Sequence, residues 1–326
     1  MIIFAAVKSP IGQDIEAAVQ FLQEGALVGI PTETVYGLAA NALNPDAVLQ
    51  IFQVKGRPTF NPLIVHVHDA AQFSLYAEEV PDVIKLLAQH FCPGPLTFVL
   101  PKKSVIPDLV TGGGNTVALR VPGHPLTLQL LKSLDFPLAA PSANPFGYIS
   151  PVTALHVQEQ LDGKVAYILD GGPSMIGVES TVVMMRGKSL VVLRVGGVSI
   201  ESLREVYTNV VVEINQSSNP KSPGQLKSHY APRIPLKLGT IGELLNRYSQ
   251  QKIAVLSFRE TFNHSAIIAH EVLSSEGNDA EAARNLFAAL RRLDRTNADI
   301  IIAEKLPEKG LGMAINDRLE RAAADY

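Results

Sequence analysis

Cysteine and tryptophan are the residues that this 326-residue chain nearly or entirely lacks: it has one cysteine, Cys92, and no tryptophan. A single cysteine excludes an internal disulfide framework and a cysteine-rich zinc site, and it is typical of a reducing compartment. No apolar run approaches the ~18 residues that a membrane span requires, and residues 1–13 lack the basic region of a signal peptide. These absences predict a cytoplasmic protein with no membrane segment.

An excess of positive charge is also missing. The 28 Lys and Arg residues are outnumbered by 31 Asp and Glu residues, so the formal net charge is −3. A protein that grips nucleic acid over its whole surface is usually basic, and aromatic residues make up only 6% of the chain, which argues against a base-stacking platform. The composition therefore disfavours a dedicated RNA-binding surface, although a local basic patch stays open.

Apolar sequence is plentiful. Hydrophobic residues make up 47% of the chain and charged residues 18%, which is enough for a real core and excludes a largely disordered chain. At roughly 100–200 residues per domain, the length suggests two domains. Alternating patterns predict an α/β domain over residues 1–209. We predict strands at 26–30, 63–67, 96–100, 116–121, 138–140, 165–169, 181–185 and 189–195, and helices at 14–24, 45–54 and 81–91.

The composition changes after this region. Residues 215–224 read NQSSNPKSPG, which is linker chemistry, and we assign residues 210–233 to a linker. Residues 234–326 predict a second, smaller α/β unit. Thr240 and Glu243 form a plausible capping box for a helix that ends at 250, and a strand at 253–258, a helix at 279–294 and a strand at 299–303 follow. This rhythm predicts a small Rossmann-like sheet.

Familiar phosphate-binding motifs are absent, so charge and position must identify the candidates. Neither the P-loop pattern nor G-x-G-x-x-G occurs. Residues 112–114 are three glycines, whose amides can form an anion nest or an ordinary turn. Lys55 and Arg57 follow a predicted helix and precede a proline-stiffened loop that contains Asn61. Such cations suit phosphate binding, but they also suit a solvated helix C-terminus.

Polar residues at strand ends are a second group of candidates. His66 and His68 alternate on one strand, yet the sequence around them does not supply a full set of metal ligands, so a core or substrate contact is favoured. Residues 141–145 and 177–181 lie beside buried strands, where α/β folds bind ligands or simply turn. Arg120 and Arg194 end apolar strands and need an anionic partner if buried, either a carboxylate of the chain or a ligand.

Taken together and in order, these segments resemble the threonylcarbamoyl-AMP synthase family in its long, two-domain form. The resemblance implies a YrdC-like twisted α/β catalytic domain with a positively charged cavity, followed by a smaller Rossmann-like domain. The matching segments are PTETVYGL (31–38), KGRPTFNPLIVHV (55–67), PGPLTFVL (93–100), TVALRVP (116–122), APSAN (140–144), GVESTVV (177–183), LRVGGVS (193–199) and SPGQLKSHYAP (222–232).

The resemblance also implies a reaction. L-threonine and bicarbonate would form a carbamate, whose oxygen attacks the α-phosphorus of ATP to give threonylcarbamoyl-AMP and pyrophosphate. Mg²⁺ would accompany ATP, held mainly by phosphates and water rather than by protein ligands. A separate transferase complex would then modify ANN-decoding tRNAs, and a weak direct contact with tRNA stays open.

Site residues follow from the matching positions. Lys55 and Arg57 would be catalytic. The L-threonine pocket would contain Thr34, His66, Arg120, Ala140 and Ser180, with Arg120 pairing the carboxylate bidentately. The ATP site would contain Arg57, Asn61, Thr116, Ser142, Asn144, Ser150 and Arg194. One departure is Lys227, which stands where many relatives have a nucleotide-contacting tyrosine. The linker residues 222–232 would fold over the cavity as a lid.

Two other functions remain compatible with the sequence. One is a non-enzymatic RNA-binding module with a YrdC-like fold. The other is an ATP hydrolase or a carbamoyltransferase that acts on another small substrate. Pyrophosphate release that requires both threonine and bicarbonate would separate these alternatives from the main interpretation.

Overall fold

The structure is a computed structural model that describes residues 8–214 and 229–324. Eleven of the described strands form one mixed sheet, in the order β1-β8-β2-β3-β7-β4-β6-β5-β9-β10-β11. The strands are β1 (Ile11–Gly12), β2 (Val28–Ile30), β3 (Gly37–Asn41), β4 (Ile64–His66), β5 (Leu96–Pro101), β6 (Thr116–Arg120), β7 (Leu138–Ala139), β8 (Tyr167–Leu169), β9 (Thr181–Arg186), β10 (Ser189–Arg194) and β11 (Val210–Val212).

Helices pack on both sides of this sheet and bury their apolar faces against it. α1 illustrates the local causes: Asp14 caps its first turn by accepting from the Ala17 N–H, while Ala18 and Leu22 face the core. The helices of this domain are α1 (Ile15–Gln23), α2 (Pro45–Lys55), α3 (Phe73–Tyr76), α4 (Asp82–Phe91), α5 (Asp108–Thr111), α6 (Pro125–Lys132), α7 (Ala154–Leu161) and α8 (Ile200–Val206).

The C-terminal domain has a parallel four-stranded sheet in the order β12-β15-β13-β14. Its strands are β12 (Leu236–Leu238), β13 (Ile253–Ser257), β14 (Ile267–Val272) and β15 (Ile300–Ala303), and its helices are α9 (Ile241–Arg247), α10 (Asp279–Asp294) and α11 (Gly312–Ala323). The parallel sheet with intervening helices confirms the expected α/β class of the second domain.

Most predicted elements are present, with small shifts at their ends. The capping box is wrong: Thr240 is the N-cap residue of α9, but its side chain makes no capping hydrogen bond, and the helix ends at Arg247. The first sheet also extends past 209, because β11 pairs with β10 in parallel. Residues 215–228, which carry most of the predicted linker and Lys227, lie outside the described residues.

The two domains share one buried apolar cluster. The cluster contains Ile51 of α2, Tyr230 and Phe287 of α10, and the Tyr230 and Phe287 ring centroids lie 5.5 Å apart. Gly177 shows how closely the backbones approach: its φ is +80°, and a Cβ there would lie 2.4 Å from Ala283 O of α10. The C-terminal domain is therefore packed directly against the loop that precedes β9. No helix in the described part of the chain is long and apolar enough to cross a bilayer.

Candidate active site

A cavity of about 50 Å³ lies at one edge of the first sheet, where several strands end close together. β4 and β6 are parallel neighbours that pair His66 with Arg120, so the last residues of both strands stand side by side. The cavity is lined by Thr32, Thr34, Val35, Tyr36, Gly37, Arg57, Ile64, His66, Arg120, Ala140, Pro141, Ser142, Glu179, Ser180, Arg194, His229 and Tyr230.

The predicted site residues around this cavity belong mainly to two kinds of element. The strand wall is formed by four side chains at or beside the ends of β4, β6, β9 and β10: His66, Arg120, Ser180 and Arg194. The loop wall is formed by side chains at the end of α2 and in the loops 56–63 and 142–153: Lys55, Arg57, Asn61, Ser142, Asn144 and Ser150.

Arg120 is a buried cation of the strand wall, and its acceptors come mainly from the loop after β2. Nη2 donates to Glu33 Oε1 at 2.7 Å and to Thr34 Oγ1 at 3.0 Å. Nε donates to Gly94 O at 3.3 Å. The other Glu33 oxygen accepts from the Gly123 N–H at 2.8 Å. Within the described residues Nη1 has no hydrogen-bond partner, which leaves this nitrogen to a ligand.

His66 lies beside Arg120 as a neutral imidazole. Burial, with a smaller effect from the Arg120 charge, lowers the pKa of His66 to about 3. Its Nδ1 is buried and has no hydrogen-bond partner in the part of the chain that the structure describes. His68 lies beyond the end of β4 and lines a different cavity with Cys92. The two histidines therefore do not form a pair at one site.

Ser180 and Arg194 complete the strand wall. Arg194 Nη2 donates to Ser180 Oγ at 3.0 Å, and Nε donates to Ser180 O at 3.0 Å. Thr97 Oγ1 lies 2.7 Å from the same serine hydroxyl. Burial lowers the pKa of Arg194 to about 10, which leaves the guanidinium charged at pH 7.

The end of α2 positions the first residues of the loop wall. Asn44 caps the helix, with Pro45 in its first turn. The helix ends at Gly56, whose φ of +63° is the left-handed conformation that favours glycine. The chain reverses there, and Arg57 enters the lining of the cavity.

Arg57 is tied to its own loop. Its Nη2 donates to Asn61 Oδ1 at 2.7 Å and to Pro62 O at 2.8 Å, and Nε donates to Asn61 O at 3.2 Å. Burial lowers the pKa of Arg57 to about 9, so it remains a cation at pH 7. Asn61 therefore orients Arg57.

Lys55 holds the opposite loop from behind. Its Nζ donates to Ser142 O at 2.6 Å and to Asn144 O. Asn144 in turn donates through Nδ2 to Tyr148 O at 2.7 Å. Burial, and to a smaller extent the charge of Arg57, lowers the pKa of Lys55 well below its ordinary value. These contacts fix the path of the backbone that carries Ser142 into the cavity.

One carboxylate lines the cavity that the sequence analysis did not single out. Glu179 precedes Ser180 and is only 7% exposed. Its Oε1 accepts from Ser150 Oγ at 2.7 Å, and its Oε2 accepts from Arg318 Nε of α11 at 3.0 Å. The motif GVESTVV contains this glutamate, but only the packing of the C-terminal domain reveals its partner.

His229 and Tyr230 cover the remaining side of the cavity. Both are buried, and Tyr230 has a φ of +64°, which is uncommon for a residue other than glycine. The His229 ring meets the Phe146 ring edge-on, with centroids 5.7 Å apart. Ligand pockets usually measure about 300–1,000 Å³. Because this cavity is far smaller, its walls must move apart before a substrate of nucleotide size can enter.

The structure brings most of the predicted threonine residues to one place. Thr34, His66, Arg120, Ala140 and Ser180 all line the cavity, as do Arg57, Ser142 and Arg194. Five predicted residues are not among the lining residues: Lys55, Asn61, Asn144, Ser150 and Thr116. The first four are in the hydrogen-bonded frame just described. Thr116 begins β6, four residues or about 13 Å from Arg120 along the strand.

The carboxylates of this region do not form a site for Mg²⁺. Both oxygens of Glu33 accept hydrogen bonds from Arg120 and Gly123, and both oxygens of Glu179 accept from Ser150 and Arg318. Among the described residues there is no group of three or more His, Cys, Asp or Glu side chains able to hold a metal ion. A protein-held Mg²⁺ does not fit these residues.

Two family models match the sequence and together span most of the chain. The model described as telomere recombination matches residues 20–196, and that of the threonylcarbamoyl-AMP synthase C-terminal domain matches residues 198–324. A protein from Pyrococcus abyssi named threonylcarbamoyl-AMP synthase is 42% identical over 324 residues, covering 95% of this chain and 94% of its own. A protein of the same name from Bacillus subtilis is 42% identical over 323 residues, covering 95% and 92%.

Solved structures agree with this result. The crystal structure of P. abyssi Sua5 complexed with L-threonine superposes with a TM-score of 0.90 at 40% identity, covering 97% of both chains. A doubly substituted form of that protein, with a histidine and a tyrosine changed to alanine, gives a TM-score of 0.89 at 38% identity, covering 97% of this chain and 96% of its own. These matches and the two family models show that this chain belongs to the threonylcarbamoyl-AMP synthase family, in the long form that carries the additional C-terminal domain.

Proposed function

We propose that this protein is an L-threonylcarbamoyladenylate synthase, a nucleotidyltransferase that makes threonylcarbamoyl-AMP and pyrophosphate from L-threonine, bicarbonate and ATP. The observation that carries the proposal is the convergence of Arg57, Arg120 and Arg194 on one cavity with a neutral His66 and several hydroxyls. Such a cavity suits an amino acid carboxylate together with a polyphosphate. The related Sua5 of known structure is complexed with L-threonine, which supports the same substrate here.

Arg120 is the proposed partner of the threonine carboxylate. Because Nη2 and Nε already donate to Glu33, Thr34 and Gly94, Nη1 would carry the contact. This geometry favours a contact through one nitrogen rather than the bidentate pairing expected from the sequence. Glu33 fixes the guanidinium, while Thr34, the neutral His66 and Ser180 would meet the amine, hydroxyl and methyl group.

Arg57 and Arg194 are proposed to meet the phosphates, with Ser142 beside them. Charge moves to the leaving pyrophosphate as the carbamate oxygen attacks the α-phosphorus, and fixed guanidinium groups stabilise that charge without rearranging. In this proposal Lys55, Asn61, Asn144 and Ser150 hold the loops. Lys55 is therefore a positioning residue here and not the catalytic residue of the sequence expectation.

The reaction balances without a protein nucleophile. The threonine amine and bicarbonate give the carbamate and water. The carbamate oxygen then forms a bond to the α-phosphorus while the bond to the pyrophosphate oxygen breaks. The protein binds both substrates, orients them and excludes water. Mg²⁺ would arrive with ATP as part of the substrate, since the nearby carboxylates are already engaged. The product would pass to a transferase complex that modifies tRNA.

The test is release of pyrophosphate by the purified chain. We expect release to require ATP, threonine and bicarbonate together, and threonylcarbamoyl-AMP to appear in equal amount by mass spectrometry. Omission of any one substrate is the control. Release of phosphate or pyrophosphate without threonine would instead indicate an ATP hydrolase and contradict the proposal.

A further inference from the structure

One arginine of the C-terminal domain reaches the wall of the cavity in the first domain. Arg318 lies on α11 and is fully buried. Its Nε donates to Glu179 Oε2 at 3.0 Å, and its Nη1 donates to Val195 O at 2.6 Å, next to Arg194. The Tyr230 ring centroid lies 5.6 Å from the guanidinium carbon, within cation–π range. A single side chain therefore contacts two residues that line the cavity, Glu179 and Tyr230, and the backbone next to a third, Arg194.

Two carboxylates, Glu179 and Asp317, and a second arginine, Arg321, lie around Arg318. Asp317 Oδ2 accepts from its Nη1 at 3.1 Å, while the other Asp317 oxygen lies 2.9 Å from Arg321 Nη2. Burial lowers the pKa of Arg318, but Tyr230, Glu179 and Asp317 together outweigh burial, and the pKa lies above its ordinary value. Asp317 is thus already shared with Arg321, and Arg318 is the cation that meets Glu179.

Glu179 is the one carboxylate that lines the cavity among the described residues, so its negative charge lies where phosphates would bind. An uncompensated negative charge there would oppose the binding of phosphates. Removing the partner of a buried ion pair leaves such a charge, and its effect is large because little water screens it. Arg318 therefore compensates a charge at the cavity, in addition to packing one domain against the other.

We propose that Arg318 is a positioning residue of the nucleotide site, contributed by the C-terminal domain. It neutralises Glu179, so that the cavity stays cationic, and it holds Glu179 against Ser150. The site is then electrostatically complete only when the C-terminal domain is docked. This inference rests on the proposed function, because it takes a phosphate-bearing nucleotide as the ligand.

The test is a double-mutant cycle in the full chain, with MgATP binding measured by calorimetry and turnover measured separately. We expect Arg318→Met to raise the Kd for MgATP about tenfold or more, since the Glu179 charge is left unpaired. Glu179→Gln in the same chain removes that charge while keeping an acceptor for Ser150. The double variant should therefore recover to within about threefold of the wild type.

A matched control is Arg295→Met. Arg295 pairs with Glu159 across the same domain interface, but both side chains are half exposed and neither lines the cavity. We expect this variant to bind MgATP as the wild type does. If the double variant binds MgATP as weakly as Arg318→Met, the arginine acts only by supporting the fold and the inference is overturned.

Glu179→Gln alone keeps the inference testable if Arg318→Met does not fold. Its Kd for MgATP should be unchanged or lower, because the cavity gains positive charge, and a tenfold rise would overturn the inference.

The experiment also distinguishes failure of this inference from failure of the proposed function. A wild type that binds MgATP but releases no pyrophosphate contradicts the proposed function alone, and a failed rescue with normal turnover contradicts this inference alone. Absence of MgATP binding by the wild type overturns both.

Discussion

The strand wall and the loop wall of the cavity are built in different ways. All four members of the strand wall line the cavity, whereas only Arg57 and Ser142 do so among the six members of the loop wall. The strand-wall residues lie at or beside strand ends, whose positions are set by the sheet ladder, for example by the pairing of His66 with Arg120. Lys55, Asn61 and Asn144 make hydrogen bonds that hold the loops, and Ser150 donates to Glu179. In the loop wall, therefore, polar residues that look like substrate-binding residues in the sequence instead hold the loops in place.

The largest effect should come from the strand wall. We expect Arg120→Met to lower kcat/KM for threonine by about 10³-fold, because the substrate carboxylate loses its cationic partner. The substitution should also lower the free energy of unfolding by about 3–5 kcal/mol, because Glu33 keeps an unpaired charge. The measurement is threonine-dependent pyrophosphate release. Arg186→Met is the matched control, since Arg186 also ends a strand and pairs with a carboxylate, Glu213, but on the surface.

A second substitution separates folding from binding at Arg120. Glu33→Gln in the Arg120→Met chain removes the unpaired charge, so it should recover thermal stability without restoring use of threonine. Recovery of both thermal stability and threonine use would mean that Arg120 only supports the fold. The strand wall would then hold the structure in place, as most of the loop wall does.

Arg57 should give the next largest effect, because it is the charged member of the loop wall that lines the cavity. We expect Arg57→Ala to lower kcat by about 10²-fold, as removal of one preorganised donor to a developing charge commonly does. Asn61→Ala, which removes only an acceptor that orients Arg57, should cost less. Near-normal pyrophosphate release by Arg57→Ala would contradict a role on the phosphates.

The contrast between the walls also explains how much the sequence could reveal. Strands ending near His66, Arg120 and Arg194 follow from runs of β-branched and aliphatic residues, and their ends indicate a site edge. The α2 helix is equally readable from Asn44, Pro45 and Gly56. The threonine-side residues were therefore predictable once the family resemblance placed them together, and the structure brings them to one cavity.

The parts that sequence reasoning missed depend on contacts between distant segments. β3 begins within PTETVYGL and was not predicted, because its short alternation is hidden by glycine and alanine. Glu33 finds Arg120 across 87 residues, and Glu179 finds Arg318 across 139 residues. Composition and periodicity carry no signal for such pairs. The role of Lys55 is similar, since only the fold shows that its ammonium meets backbone carbonyls.

A smaller effect concerns the stability of the strand wall at low pH. His66 has a folded pKa of about 3, below its ordinary value of 6.5. Below pH 6.5 the unfolded chain therefore binds a proton that the folded chain does not, and stability falls as the pH falls. At pH 5 this histidine should cost about 2 kcal/mol of unfolding free energy relative to pH 7.5.

Urea unfolding at the two pH values measures this effect. His66→Gln should lose about 2 kcal/mol less stability than the wild type on going from pH 7.5 to pH 5. His90→Gln, at an exposed position on α4, is the control and should behave as the wild type. An unchanged pH dependence in His66→Gln would show that His66 takes up a proton in the folded protein.

The smallest effect is expected at Lys55, and it tests the comparison most directly. Lys55→Met keeps the buried stem but removes the hydrogen bonds to Ser142 O and Asn144 O. If Lys55 acts through the loop, KM for ATP should rise about tenfold while kcat changes little, because the loop that carries Ser142 loses two hydrogen bonds that fix its backbone. The matched control is Lys102→Met, which removes a lysine bond to Ile106 O and an ion pair with Asp108 away from the cavity, and it should change stability without changing KM. If kcat instead falls about 10²-fold, as expected for Arg57→Ala, Lys55 contacts the reacting phosphates. The loop wall would then rearrange on binding ATP, because the ammonium would have to leave both carbonyls to reach them.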